Sequence, residues 1–225
     1  MSRLSLSRLA KVGLSSLALA LSTPAAHADG GWVVKKEQGG IQVSQQQTGS
    51  AHEVTRGQMS VAASVAAVAA LLDDIAACPR WVHDCIEARR VEMPDLAHRL
   101  DYTVIQLPLL LQDRDMYIWS ETRYDPATQT LSVALTGKEN YDKGQAGRTR
   151  ILGLKGSWVV KQITPQQTQI DYEIYLDPRV TLGDAANANL VTSVFQTLRK
   201  MRAVVKEDKY HNAQFDDAFL KATAP

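Results

Sequence analysis

Between Cys85 and Leu176 the chain passes through successive stretches of strand-type alternation with only short breaks, and one long helical period follows. The stretches are Ile86–Met93, His98–Leu107, Asp113–Tyr124, Thr130–Thr136, Arg148–Leu154, Ser157–Ile163 and Thr168–Leu176. Turn chemistry separates them at Pro94-Asp95, at Asp125–Gln129, near Gly156 and at Thr164–Gln167. Consecutive strands joined by short turns pair antiparallel. The helical period is expected from near Asp184 to about Asp208, with Leu190, Val194, Leu198, Met201 and Val205 on one side. Such a helix needs an apolar surface to cover, and the inner face of the sheet supplies one. The fold class expected is α+β, a curved antiparallel sheet wrapped around a long C-terminal helix.

Two strands, Ile41–Gln47 and Glu53–Val61, precede this run, and a lead-in at Asp29–Lys36 ends at Gly39-Gly40. A helix is expected from Val65 to about Ala77, with Ser64 placed to cap it and Val65, Val68, Leu72 and Ile75 as its apolar stripe.

Residues 1–28 read as a secretory signal peptide rather than as part of the fold. Arg3, Arg8 and Lys11 form a basic start, Val12–Leu21 a short apolar core, and Ala26-His27-Ala28 a small-x-small cleavage site. The alanine-rich form points to the bacterial periplasm. The apolar run is too short and too rich in serine to span a membrane. The remaining 197 residues suffice for one domain with a substantial core. The domain is expected over 29–208, followed by a polar C-terminal tail over 209–225. Removing residues 1–28 takes three of the 25 Lys and Arg and none of the 24 Asp and Glu, which leaves 22 against 24. A charge this near neutrality argues against nucleic acid as a partner.

The two cysteines, Cys78 and Cys85, flank the expected helix-to-strand turn. In an oxidising compartment they read as a structural disulfide. The spacing is not Cys-x-x-Cys, and two thiols with His83 lack a fourth metal ligand.

Arg114 opens the strand Asp113–Tyr124. Alternation puts it on the face shared by Met116, Ile118, Ser120 and Thr122, with Asp115, Tyr117, Trp119, Glu121 and Arg123 opposite. A guanidinium at the edge of an apolar face calls for a partner, a water-filled cavity or a ligand. A pair with Asp113 or Asp115 is the structural alternative. On His98–Leu107 the expected inner set is Leu100, Tyr102, Val104 and Gln106, with Arg99, Asp101 and Thr103 outside. On Thr168–Leu176 the inner set is Ile170, Tyr172, Ile174 and Leu176.

The sequence holds no His-Glu-x-x-His, no Gly-x-Ser-x-Gly, no phosphate-binding glycine loop and no dinucleotide fingerprint. His52, His83, His98 and His211 are scattered. No cofactor is implied and no catalytic residue stands out.

From about Gly31 to Met201 the chain resembles the START family, the lipid-transfer domains related to the steroidogenic acute regulatory protein. The resemblance rests on ordered pieces: Trp32–Ile41, Leu71-Leu72-Asp73 followed by Trp81, Glu87–Glu92, Pro108 with Arg114-Asp115, Gly156-Ser157-Trp158, Thr168–Tyr172, Asp177-Pro178 and Leu198-Arg199. It implies a helix-grip fold with a lipid-sized tunnel between sheet and closing helix. Two departures stand out. Leu109-Leu110 replaces a common Trp-Pro, and Arg179-Val180 replaces a common Gly-Gly. The resemblance implies a lipid or other apolar small molecule as ligand. Arg114 would be its polar anchor, with Tyr102, Gln106 and Tyr172 nearby. Met116, Ile118, Ile170, Ile174, Val194, Leu198 and Met201 would form the apolar wall. The alternative on the same scaffold is an enzyme, a cyclase or hydrolase of an apolar substrate. Transient membrane contact through Arg199, Lys200, Arg202 and Lys206 and a monomeric state complete the expectation.

Overall fold

The computed structural model describes residues 31–107, 111–180 and 183–225. The expected signal peptide and the Pro108–Leu110 motif lie outside the described residues. The element order is β1 Val33–Gln38, β2 Ile41–Gln46, β3 Val54–Val61, α1 Val65–Asp73, α2 Cys78–Trp81, β4 Cys85–Glu92, β5 His98–Ile105, β6 Asp113–Asp125, β7 Thr130–Gly137, β8 Arg148–Arg150, β9 Leu152–Thr164, β10 Gln167–Asp177, α3 Gly183–Val204, α4 Asp208–His211 and α5 Asp217–Ala222.

The strands form one open sheet in the order β1-β2-β3-β10-β9-β7-β6-β5-β4. Every pair on this path is antiparallel; short β8 runs parallel to the start of β6. Pairing of β3 with β10 joins the N-terminal hairpin to the last strand, with Val61 opposite Thr168 and Thr55 opposite Ile174. The expected run of antiparallel strands is therefore present. The sheet curves around α3, which presents Val191, Val194, Phe195, Leu198 and Met201 to it. Leu198 and Met201 are fully buried. Burial of each such side chain stabilises the fold by roughly 1.5–3 kcal/mol.

Gly57 sets how closely the helix approaches. A Cβ there would lie 2.5 Å from Val194 Cγ1 and 2.6 Å from Leu198 Cδ1. The absent side chain leaves that room to α3.

Three boundaries differ from expectation. The helix opened by Ser64, whose side chain accepts from the Ala67 N–H at 3.1 Å, ends at Asp73 instead of Ala77. A 3-10 turn at Ile75–Ala77 follows, then α2 with its Pro79 near the start. Arg148–Leu154 and Ser157–Ile163 are not two strands parted near Gly156; β9 runs unbroken from Leu152 to Thr164. At Gly156 a Cβ would come within 2.6 Å of the Glu173 carbonyl on β10. The glycine thus serves close strand approach rather than a turn. The break falls earlier, between Arg150 and Leu152. The closing helix stops at Val204, and the chain beyond it folds back as α4 and α5.

The phase of β5 is the main correction. Arg99, Asp101, Thr103 and Ile105 point inward, and Leu100, Tyr102 and Val104 pack with Tyr117 on the opposite face. Alternation assigns faces by assuming that one is wet. Here both are covered, so residues 99–104 are all buried.

Candidate functional site

A cavity of about 170 Å³ lies between the inner sheet face and the helices. Its apolar wall comes from β6 (Met116, Ile118), β7 (Leu135), β9 (Leu154, Trp158), β10 (Tyr172, Ile174, Leu176) and α3 (Leu190, Val194). Leu72, Ile75, Trp81 and Val82 close it from the α1–β4 segment. The volume is comparable to the ~150 Å³ apolar cavity that admits a benzene ring. The interior is therefore not packed solid. Trp158 and Tyr172 form a rigid aromatic wall, with rings stacked at 3.8 Å, and Trp81 meets Trp158 edge-on at 6.0 Å. Burial alone raises the pKa of the Tyr172 hydroxyl.

The polar part of the wall is small. Arg99 and Asp101 are 7% and 5% exposed, and Arg99 Nε lies 3.4 Å from Asp101 Oδ2. Arg90 Nε donates to Asp101 Oδ1 at 2.8 Å from the other side. Arg99 Nη1 also donates to Thr122 Oγ1 at 3.1 Å. Burial pushes the Asp101 carboxyl up and the Arg99 guanidinium down, each against the pull of its oppositely charged neighbours. Among the buried polar atoms on cavity-lining residues, Trp81 Nε1 has no hydrogen-bond partner, while His83 Nδ1 and Arg99 Nε face only carboxylate oxygens at 3.4 Å, on Asp84 and Asp101. A buried donor left unpaired costs about 1–3 kcal/mol. A bound molecule with an acceptor group would relieve part of that cost. Burial also lowers the His83 pKa, so its imidazole is held neutral.

The Cys78–Cys85 disulfide is present, with its Cα atoms 6.0 Å apart. It brackets Trp81, Val82 and His83 and so fixes one wall of the cavity.

Of the residues named from sequence, Met116, Ile118, Tyr172, Ile174 and Val194 line the cavity together. Ile170, Leu198 and Met201 belong to the packed core beside it. Gln106 is exposed. Tyr102 sits across the sheet, where its hydroxyl donates to Asp115 Oδ2 at 3.2 Å and accepts from Arg148 Nη1 at 2.8 Å. Arg114 is 5% exposed but outside the cavity lining. Its Nε donates to the Pro178 carbonyl at 2.6 Å and its Nη1 to the Gln112 carbonyl at 2.5 Å, which ties the start of β6 to the loop after β10. It pairs with neither Asp113 nor Asp115, and burial followed by the Arg179 charge lowers its pKa. Asp115 is instead held by Arg150 through Nε and Nη2 at 3.0 and 2.9 Å.

Arg99, Asp101, Trp81 and His83 are the site residues that alternation missed. One signal was present: opposite charges two residues apart on a strand whose neighbours are apolar, which is the pattern of a neutralised inward pair.

A larger trough of about 570 Å³ on the opposite face, between Trp119, Lys138 and Tyr141, is open to solvent. No buried unpartnered polar atom borders it among the described residues, so the cavity between the sheet and the helices is the better candidate. The described residues contain no cluster of metal-ligating side chains and no helix long and apolar enough to cross a membrane.

Solved structures share this architecture. The STAR-related lipid transfer protein of Xanthomonas axonopodis superposes with a TM-score of 0.72 at 22% identity, covering 79% of this chain and 99% of that one. Human STARD10 superposes with a TM-score of 0.70 at 16% identity, over 80% of this chain and 74% of that one. Human StAR-related lipid transfer protein 5 gives 0.68 at 16%, over 79% and 88%. The fold is thus the START helix-grip. In sequence, an uncharacterized protein of Pseudomonas aeruginosa is 25% identical over 178 residues, covering 78% of this chain and 87% of that one. No family model matches.

Proposed function

We propose that this protein binds, and carries between membranes, a lipid or similar apolar molecule bearing one hydrogen-bond acceptor, in the cavity between the sheet and α3. The observation that carries this reading is the Arg99–Asp101 pair set in a mostly apolar wall, with Trp81 Nε1 lacking an acceptor. Apolar burial supplies affinity and a few placed polar groups orient the ligand. The lipid-transfer proteins of the same fold support the class of ligand. The work is done after export to the bacterial periplasm, a reading supported by the leader sequence and by the disulfide.

Native mass spectrometry of gently purified protein tests it. A co-purifying lipid is expected in the wild type and is expected to be lost in Ser193→Trp, which fills the cavity from α3. A wild type that folds and takes up no lipid from mixed vesicles rules the reading out.

A second reading, an enzyme acting on an apolar substrate, draws on His83, a neutral imidazole on the cavity wall. Under it, His83→Gln would keep ligand binding and abolish turnover; a ligand recovered chemically unchanged after long incubation with the wild type argues against it.

A further inference from the structure

The inner sheet face carries a second cavity, of about 220 Å³. On β7, Leu135 lines the first cavity and Leu131 and Val133 line the second. On β6 the change falls between Ser120 and Thr122. Consecutive inward positions on adjacent strands thus pass from one cavity to the other. Arg99 of β5 and Leu72 of α1 line both and form the partition.

The far wall is built by the alanines of α1 and by the segment after α3. Phe215 and Phe219 stack at 4.6 Å, Phe215 packs on Tyr124 at 4.5 Å, and the Tyr124 N–H donates to the Thr223 carbonyl at 2.7 Å. The segment that reads as a polar tail in sequence is therefore a roof. Arg99 stands at the partition with its Nε facing only the Asp101 carboxylate at 3.4 Å and with a long 3.4 Å bond from Nη2 to the Leu72 carbonyl. Its aliphatic stem can lie along an apolar chain while its head seeks an acceptor.

We infer that the two cavities are halves of one channel, divided by the Leu72 and Arg99 side chains, and that it holds a single long-chain amphiphile of the fatty acyl class whose apolar end lies beneath Phe215 and Phe219. This rests on the binding role proposed above and specifies its ligand. Each cavity alone is smaller than the ~300–1,000 Å³ usual for ligand pockets; their combined volume falls within that range. From Met116 to Thr122, both inward on β6, the strand spans roughly 20 Å at about 3.4 Å per residue, the length of a long acyl chain.

The test compares octanoate and palmitate by titration calorimetry. Ala69→Phe on α1 and Ala213→Phe in the C-terminal segment each fill the second cavity from a different side; far-ultraviolet dichroism confirms that at least one folds. Palmitate affinity is expected to fall tenfold or more in a folded variant while octanoate affinity stays within twofold of wild type. Unchanged palmitate affinity, or an equal loss for both acids, overturns the single channel. Octanoate binding without palmitate binding in the wild type also overturns it while leaving the first cavity's role intact. Binding of neither acid by the wild type overturns the ligand class.

Discussion

The Tyr210 hydroxyl donates to Asp74 Oδ2 at 2.7 Å, joining the segment after α3 to the break between α1 and α2. Lys209 reaches the same carboxylate. Burial opposes ionisation of Asp74, yet Lys209 and Tyr210 together hold its pKa below the usual carboxylate range. Tyr210 is 1% exposed, and burial with the Asp74 bond pushes its pKa up to about 12. Tyr210→Phe is expected to cost about 1.5–3 kcal/mol, the range for a hydrogen bond to a charged group. Urea unfolding measures it; a midpoint equal to wild type would show that the tie carries no stability.

The Arg90–Asp101–Arg99 cluster makes an asymmetric prediction. Asp101→Leu leaves Arg99, nine-tenths buried, with only the more distant Asp73 carboxylate at 3.9 Å, and up to about 3–5 kcal/mol of stability should be lost. Arg99→Met leaves Asp101 paired with Arg90 and should cost less than half as much. Equal losses in denaturant titrations would mean that Arg90 is not the main partner of Asp101.

The disulfide links stability to the site. In the chain-entropy model, closing so short a loop contributes about 2–3 kcal/mol. A Cys78→Ala, Cys85→Ala double variant should lose that amount. It should also bind ligand more weakly, because the bracketed Trp81, Val82 and His83 line the cavity. Lost stability with intact affinity would confine the bridge to holding the fold.

His83 predicts a pH dependence. Burial lowers its folded pKa below the ordinary 6.5. The unfolded chain therefore binds a proton first as the solution is acidified. The stability from a neutral His83 is complete above about pH 6.5 and is lost as pH falls through the folded value. The difference between the thermal midpoints of wild type and His83→Gln should be constant at mildly basic pH and should shift against the wild type on acidification. Curves that remain parallel through this window would assign no folded-state shift to His83.

The helix-grip order was legible because most strands announce themselves by alternation and α3 by its Leu190–Met201 stripe, whereas β1 read only as a lead-in and the start of β9 was misplaced. Cys78–Cys85 followed from spacing together with the leader-like start of the sequence. Faces were harder. On β10 and β6 the apolar residues do point inward, so Ile174, Tyr172 and Met116 could be placed. On β5 the inward residues are the charged ones, because Arg99 and Asp101 neutralise each other, and apolar Leu100 and Val104 are buried with Tyr102 and Tyr117 on the opposite face. Arg114 shows the converse. Its position at the edge of the apolar face was readable, but its partners are backbone carbonyls, which no side-chain pattern can reveal. The roof formed by Phe215 and Phe219 was hidden because two aromatics in a polar segment carry no periodicity.

The pairing of β3 with β10 has a kinetic consequence. Val61 and Thr168 are ladder neighbours separated by most of the domain's sequence. The N-terminal hairpin therefore cannot join the sheet until the last strand is available, and loop-closure entropy makes such distant contacts slow to form. A chain wired in this way stays unfinished during its own synthesis and can lock shut only once β10 has emerged.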